Sequence, residues 1–270
     1  MDDLTPPQPT PPSAPGSDRN APGSPPPHRT AAVNAGNGGT WWGEGWRLFT
    51  ASPGVWVAIT VAYVVIMVML AFIPVLGTLA TTLLAPVFAG GVLSGCRALD
   101  RGGELTIGHL FAGFSDRLGP LMIVGLLYLV GSFVIVAVVA GLLFAAVGMT
   151  GIGALLTGDP LQAGMAALAA LGIGAVLAVL VGLLLGIPLM MAFWFAPALV
   201  ALRNDEPLAA TKASFDACLR NMLPMLVYSV LGLAFAIVAS IPFGLGWLVL
   251  APVFAGSFYA SYKDIFESPQ

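Results

Sequence analysis

Long apolar runs alternate with short polar connections along most of this chain. Six runs span about residues 54–74, 77–98, 119–147, 165–202, 223–242 and 245–262. A helix of about 18 residues or more is long enough to cross the hydrocarbon core of a bilayer. Backbone groups in lipid must pair within their own segment. The pattern therefore predicts an all-α fold, a polytopic transmembrane helical bundle of about six membrane helices.

The fourth run is long enough for two crossings, with Gly186-Ile187-Pro188 between them. A second crossing would place Arg203, Lys212 and Arg220 on the side that otherwise lacks basic residues. One long helix, kinked or broken at Pro188, is therefore predicted. A helix followed by a partly re-entrant piece is the alternative.

The basic residues indicate the orientation. All ten Lys and Arg lie in the N-terminal stretch or in alternate connections, whereas the opposite connections carry one charged residue, Asp159. By the positive-inside rule, the basic connections and both termini are predicted to be cytoplasmic. Residues 1–40 contain ten of the 22 prolines and few large apolar side chains, which is typical of a disordered tail. The membrane domain is predicted to span residues 41–266, and residues 267–270 form a C-terminal tail.

An internal repeat divides the membrane domain. The segment Leu84-Ala85-Pro86-Val87-Phe88-Ala89-Gly90 recurs without change at residues 250–256, and Ala196-Pro197-Ala198-Leu199 is a weaker copy. An even number of predicted helices separates the two full copies, so both run in the same direction, about residues 41–101 and 205–266. Three helical hairpin units are predicted.

Each unit opens with a short amphipathic stretch that precedes a proline. The apolar faces are Trp42, Trp46 and Phe49 in the first, Ile107, Leu110, Phe111 and Phe114 in the second, and Phe215, Cys218, Leu219 and Met222 in the third. This spacing is typical of helices that lie in the membrane interface. Together with Trp41, the first face is a candidate docking surface for lipid or protein, and a plain membrane anchor is the alternative.

Small residues at four-residue spacing favour close helix packing. They are Gly174, Ala178, Gly182 and Gly186 in the fourth run, and Gly91 and Gly95 after the first repeat copy. Packing within the bundle and association between copies both fit this pattern.

The composition provides few side chains of the kinds that act as catalytic groups. Only 9% of residues are charged, the net charge is −3, and the two histidines are His28 and His109. No motif for a catalytic site, a cofactor or a metal is found, and Cys96 and Cys218 are expected to be reduced packing residues. The chain is therefore not expected to be an enzyme. The expected partners are membrane lipid and other membrane proteins or a second copy, with no nucleic acid.

Three segments carry a resemblance to known proteins: residues 41–49, residues 109–114 and the ending at residues 251–266. They resemble a family of uncharacterised proteobacterial proteins known as hypothetical transmembrane proteins. More remotely, the hairpin units look like the six-helix domain fused to some glycerophosphodiester phosphodiesterases. The resemblance implies the bacterial inner membrane and brings no activity.

Two functions fit these features. The first is a non-enzymatic protein that binds lipid or protein, or organises the membrane, through its cytoplasmic face. The alternative is a permease for a small neutral or amphiphilic solute, lined by helices interrupted at Pro86, Pro188, Pro197 and Pro252. Kinks in packed helices are the other interpretation of these prolines.

Overall fold

The computed structural model describes residues 30–267, and this part of the chain consists of helices joined by short connections, without a strand. Its helices are α1 (Asn37–Ala51), α2 (Pro53–Ala71), α3 (Leu76–Asp100), α4 (Ala112–Asp116), α5 (Leu118–Thr157), α6 (Pro160–Trp194), α7 (Ala196–Arg203), α8 (Pro207–Arg220), α9 (Met222–Ser240) and α10 (Trp247–Phe266). A 3₁₀ helix, Ile107–Phe111, precedes α4. The all-α bundle predicted from the hydrophobic pattern is confirmed.

Five helical segments within residues 30–267 are long and apolar enough to cross a membrane. They are Pro53–Ala71, Leu76–Asp100, Leu118–Thr150, Pro160–Arg203 and Met222–Ser240. The sixth predicted segment forms α10, which has 20 residues but does not belong to this set. The second half of α10 carries Lys263, Asp264 and several hydroxyl side chains, which lower its hydropathy.

The fourth run is one helix through Pro188, as predicted, and its break lies at Phe195 and not at Pro188. The hydroxyl of Ser214, from α8, accepts the Phe195 N–H (2.8 Å) and donates to the Met191 carbonyl (2.7 Å). It occupies the place of a helical hydrogen bond between those two residues, and a side chain inserted in this way is a known cause of kinks. Pro197 follows at once and has no N–H to donate.

The short helices close the bundle into a ring. Each packs mainly on the second membrane helix of the preceding unit: the 3₁₀ helix and α4 on α3, α8 on α6 and α7, and α1 on α10. The last contact joins the first unit to the third. The short helices, predicted to lie in the membrane interface, are therefore also part of the packed core.

The residues that precede α1 make defined contacts with the bundle. The Ala31 N–H donates to the Ile265 carbonyl (2.9 Å), and the Asn221 amide bonds the Ala31 carbonyl and the Val33 N–H. The prediction of disorder up to residue 40 is therefore wrong for residues 30–40. Residues 1–29 of that tail, and residues 268–270, lie outside the described part of the chain.

Buried side chains concentrate at the end of the bundle that carries Arg47, Asp100 and Lys263, named here the charged end. Trp56, Leu110, Phe195 and Tyr262 are fully buried near it. In contrast, long stretches of α5, α6 and α9 expose large apolar side chains. Such a surface suits contact with lipid chains.

Candidate functional site

The repeated proline segments surround a central cavity of about 600 Å³. Both full copies of the repeat and the weaker copy contribute to its wall. The lining includes Ala85, Phe88 and Ala89 of α3, Pro197 of α7, Ala251, Pro252, Phe254 and Ala255 of α10, and Trp56, Ile59, Thr60 and Tyr63 of α2. The central cavity therefore lies where the three units meet.

The repeat itself explains why space is left there. In each full copy two alanines flank a phenylalanine at the same positions, so one turn of the helix presents small side chains to the centre. Ala89 and Ala255 are equivalent in the repeat, and both line the central cavity. Packing of the three segments around a common centre therefore leaves a space that no side chain fills.

Glycines hold the short helices tightly against the outer sides of the same segments. Gly45 of α1 packs on the carbonyl oxygen of Val253, and Gly113 of α4 packs on that of Val87. Val253 and Val87 are equivalent residues of the repeat. A Cβ at either glycine would come closer to that oxygen than real Cβ atoms do. The Ser214 hydroxyl of α8 makes the third such contact, on Met191.

The wall of the central cavity is almost entirely apolar. The Thr60 hydroxyl donates to the Trp56 carbonyl (2.9 Å), and the Trp56 indole N–H donates to the Leu48 carbonyl (3.0 Å). Within residues 30–267, the indole N–H of Trp194 is buried and has no hydrogen-bond partner. The central cavity thus offers apolar contact over most of its surface.

A second, smaller cavity of about 320 Å³ adjoins the first and is named here the side cavity. It is lined by Trp42 of α1, Tyr228, Ser229, Gly232 and Ala236 of α9, and Trp247 and Leu250 of α10. Trp194 and Phe254 line both cavities. Their rings are 6.4 Å apart and nearly perpendicular, so they form the wall between the two spaces.

The predicted docking surface of four aromatic residues is not present as such. Trp41, Trp42 and Phe49 are buried, whereas Trp46 is 54% exposed. The Trp41 indole donates to Asp264 (2.9 Å), and Trp42 stacks on Tyr228. The buried face of α1 is set by its glycines, which allow close approach to α9 and α10, and Trp46 lies on the other side.

The small residues singled out from the sequence make contacts within the chain. Gly91 and Gly95 pack on the 3₁₀ helix around His109 and Leu110, and Gly174 packs on Ala146 of α5. Ala178 is buried, and Gly182 approaches Val139 of α5. Gly186 differs from these, because a Cβ added to it would meet no atom of the described residues within 4 Å.

Charged side chains at the charged end join the units. Asp100 accepts hydrogen bonds from Lys263 (2.6 Å), Arg47 (3.1 Å) and Tyr259 (3.3 Å), which ties α3 to α1 and α10. Hydrogen bonding to Glu44 raises the pKa of Arg47. These groups hold the bundle together and leave the cavities without a charged residue in their walls.

The remaining groups considered for chemistry also have structural contacts. The ring Nδ1 of His109 accepts the Thr106 N–H (3.0 Å) and caps the 3₁₀ helix. Cys96 and Cys218 are free and buried. In the described range, no group of three or more His, Cys, Asp and Glu side chains is placed to hold a metal ion.

Of the four prolines predicted to interrupt helices along a permease path, Pro197 and Pro252 line the central cavity, whereas Pro86 and Pro188 do not. The sequence signal for the central cavity was the Ala-Pro-x-x-Ala spacing shared by residues 85–89 and 251–255. It identifies equivalent positions, but only packing shows that both face a common centre.

The chain is similar to a probable inner membrane protein of Burkholderia thailandensis. The two are 30% identical over 262 residues, which cover 87% of this chain and 92% of the relative. No family model and no solved structure matches the chain. The more remote resemblance to the membrane domain of glycerophosphodiester phosphodiesterases therefore stays a prediction.

Proposed function

The chain belongs to the same family of inner membrane proteins as its Burkholderia relative, and on that premise we propose that it binds the apolar chain of a membrane lipid in its central cavity. The proposed role is non-enzymatic. It is a lipid-binding or membrane-organising accessory function in the bacterial inner membrane, with both termini in the cytoplasm.

The observation that carries this proposal is the apolar cavity at the meeting point of the three units. Most of its wall comes from helices that are long and apolar enough to cross a membrane, and Phe254 of α10 in that wall is 41% exposed, so the cavity is open to the surroundings. An apolar space of this size offers water few polar partners. In a bilayer the abundant molecules that match it are lipid chains.

The preference of a lipid chain for the cavity over the bilayer has to come largely from how well the chain fits the shape of the cavity. Lipid chains are as apolar as the cavity wall, so the hydrophobic effect gives little preference for the cavity over the bilayer. Retention of a lipid then depends on van der Waals contact with side chains such as Phe88 and Phe254 and on the few polar atoms present.

The permease alternative needs a route for a solute with polar groups. The polar side chains in the wall of the central cavity are Thr60, Tyr63, Tyr128 and the indoles of Trp56 and Trp194, and none is charged. This lining favours an apolar ligand over a small polar solute. A solute that carries a long apolar chain would share the same cavity.

The first test is lipid retention by the full chain purified in native membrane patches and read by native mass spectrometry. We expect a lipid bound in fixed ratio to the wild type. Ala251→Phe places a ring in the central cavity and is expected to lower lipid retention at least ~10-fold, which corresponds to about 1.4 kcal/mol.

The matched control is Ala234→Phe, which adds the same ring to an exposed position on α9 that lines neither cavity. Thermal unfolding of both variants establishes that they are folded. Unchanged lipid retention by folded Ala251→Phe, or a wild type without bound lipid, would contradict the proposed function. Uptake of a short-chain amphiphile into liposomes without retention would support the permease.

A further inference from the structure

The α2–α3 and α9–α10 hairpins, named here the short hairpins, end in turns of an unusual kind. Each turn follows an Ile-Pro pair and holds the next residue at a positive φ, 62° at Val75 and 53° at Phe243. This conformation strains a residue that has a bulky side chain, and glycine or asparagine usually occupies it. The other positive-φ residues within residues 30–267 are Gly102, Gly158, Gly244 and Asn204.

The strained residues present large apolar side chains to the surroundings. Val75 is 71% exposed and Phe243 is fully exposed. Neither turn, residues 72–76 or 241–246, contains a charged or hydroxyl side chain. Apolar surface on this scale is unfavourable in water and favourable in hydrocarbon. The choice of residues therefore indicates that both turns lie in an apolar environment.

The backbone of both turns suits the same environment. Pro74 and Pro242 have no N–H group. Six other N–H groups of the turns donate to carbonyls of the same hairpin end, those of Ile73, Leu76, Gly77, Phe243, Gly244 and Leu245. Backbone groups in hydrocarbon must be paired within the protein, because no water is present to pair with them. These six groups meet that condition.

The tip of the long α5–α6 hairpin has the opposite chemistry. Gly158 occupies its left-handed position, and the exposed Asp159 accepts the Leu161 N–H (2.9 Å) at the start of α6. Glycine at positive φ and an aspartate cap are typical of turns in water. The three hairpin tips therefore do not lie in the same surroundings.

The long hairpin also extends far beyond the first short hairpin. Gly125 of α5 packs on the backbone of Leu83 of α3. From this contact α3 continues to its end at Leu76, and α5 continues in the same direction to Thr157. At 1.5 Å per residue these distances are about 10 Å and about 48 Å. The first short hairpin thus ends nearly 40 Å, roughly, before the tip of the long one.

The second short hairpin ends similarly early. Phe258 of α10 stacks on Phe195 at the end of α6, with 5.5 Å between the ring centroids. From there α10 reaches about 16 Å to Trp247, whereas α6 reaches about 52 Å to Pro160. A bilayer core is about 30 Å thick. If the short hairpins crossed it fully, roughly 25–35 Å of α5 and α6 would stand in water, depending on tilt.

That outer part of the long hairpin is not suited to water. Phe144, Met149, Leu168 and Ile173 are all more than 60% exposed on it. Lipid covers this surface only if the bilayer core reaches close to the tip at Asp159. The turns of the short hairpins then lie inside the core.

We propose that the two short hairpins are re-entrant, entering the bilayer from the charged end and turning back within the hydrocarbon, where Val75 and Phe243 contact lipid acyl chains. Of the helices described, α5 and α6 alone reach the opposite membrane surface. The protein then occupies more area in the leaflet at the charged end than in the other leaflet, which gives it the shape of a wedge. This inference does not depend on the ligand of the central cavity.

Cysteines in the turns test the proposal in the full chain, with Cys96 and Cys218 replaced by alanine. A charged maleimide is applied to intact spheroplasts, to lysed membranes and to denatured protein. In the first two, we expect Val75→Cys and Phe243→Cys to be labelled at least ~10-fold less than the more reactive reference cysteine, because a thiol in hydrocarbon neither ionises readily nor meets the reagent. The references are the exposed tip variant Leu161→Cys and the charged-end variant Glu104→Cys. All four should be labelled equally after denaturation.

Two substitutions at position 75 give a second reading, by thermal unfolding in lipid nanodiscs. Val75→Gly removes the backbone strain and is expected to raise the midpoint of unfolding. Val75→Asn is also suited to the positive φ but places an amide in hydrocarbon, and is expected to lower the midpoint. In water both substitutions would raise it.

Labelling of a turn cysteine in intact spheroplasts to the level of Leu161→Cys would show that its hairpin crosses the bilayer and would overturn the proposal. Labelling of a turn cysteine to the level of Glu104→Cys after lysis would place that turn at the membrane surface, with the same consequence. A rise for Val75→Asn equal to that for Val75→Gly would place the first turn in water. Loss of lipid from the Ala251→Phe variant bears on the central cavity alone.

Discussion

Single small side chains set the distances between neighbouring helices in this protein. Gly45 allows α1 to lie on the backbone of α10, and Gly38 allows it to lie on α9 near Pro224. With these two glycines in contact, the indoles of Trp41 and Trp42 are carried into the interior. A glycine on an amphipathic helix therefore decides here which aromatic side chains are buried.

Gly45→Ala is expected to destabilise the protein by about 1–3 kcal/mol, because the added Cβ would overlap the Val253 carbonyl and the Ser257 backbone. Gly43→Ala on the same helix meets no atom within 4 Å and should be neutral or stabilising by up to about 1 kcal/mol through helix propensity. Thermal unfolding in one detergent measures both. Equal shifts for the two variants would show that α1 does not lie on α10 at this distance.

The break between α6 and α7 is held by a residue of another element. Ser214 of α8 is fully buried and takes both the donor and the acceptor that the interrupted helix leaves free. The break places Trp194 and Pro197 in the wall of the central cavity. The position of α8 and the shape of the cavity are therefore coupled through one hydroxyl.

Ser214→Ala is expected to lower the free energy of unfolding by about 1–3 kcal/mol, because the Phe195 N–H is left buried without an acceptor. Hydrogen exchange at Phe195 and in α7 should become faster, since opening of this segment costs less. Ser115→Ala removes an exposed hydroxyl that bonds only within its own turn and serves as the control. Unchanged exchange in α7 would argue against the inserted hydroxyl.

The whole molecule combines a packed charged end with an apolar surface over the remaining length. The ring of units is closed by α1 on α10 and by the bonds of Asp100 to Arg47 and Lys263. The hairpin of α5 and α6 is longer than the others, with 40 and 35 residues. At 1.5 Å per residue these helices are about 60 and 50 Å long, so they exceed the thickness of a bilayer core, about 30 Å, even at a tilt of about 40°.

The orientation of this assembly is a prediction from the basic residues and has a direct test. We expect Leu161→Cys, at the tip of the long hairpin, to react with a membrane-impermeant maleimide on intact spheroplasts. Glu104→Cys, at the charged end, should react only after lysis. Both positions are exposed, and the native Cys96 and Cys218 are buried, which limits background labelling. The reverse pattern would invert the assigned orientation.

Much of the fold could be predicted from the sequence because its signals are local. Runs of apolar residues, the repeat and the short amphipathic stretches all correspond to helices in the structure. The break at Phe195 could not be predicted, since Pro188 is the more conspicuous residue and the group that holds the break is Ser214, in a different helix. The buried face of α1 was predicted wrongly because it is set by the close approach of Gly45 to α10. A glycine does not stand out in a hydrophobic pattern.

The sequence by itself determined that this protein is a helical membrane protein built from repeated hairpin units. Hydrophobicity and segment length decide membrane insertion, and both are properties of contiguous residues. Only the tertiary structure decided that the units close into a ring, that Trp41 and Trp42 are buried, and that the repeated segments surround a cavity. Those features depend on contacts between residues such as Gly45 and Val253, which are far apart in the chain and whose meeting no local pattern specifies.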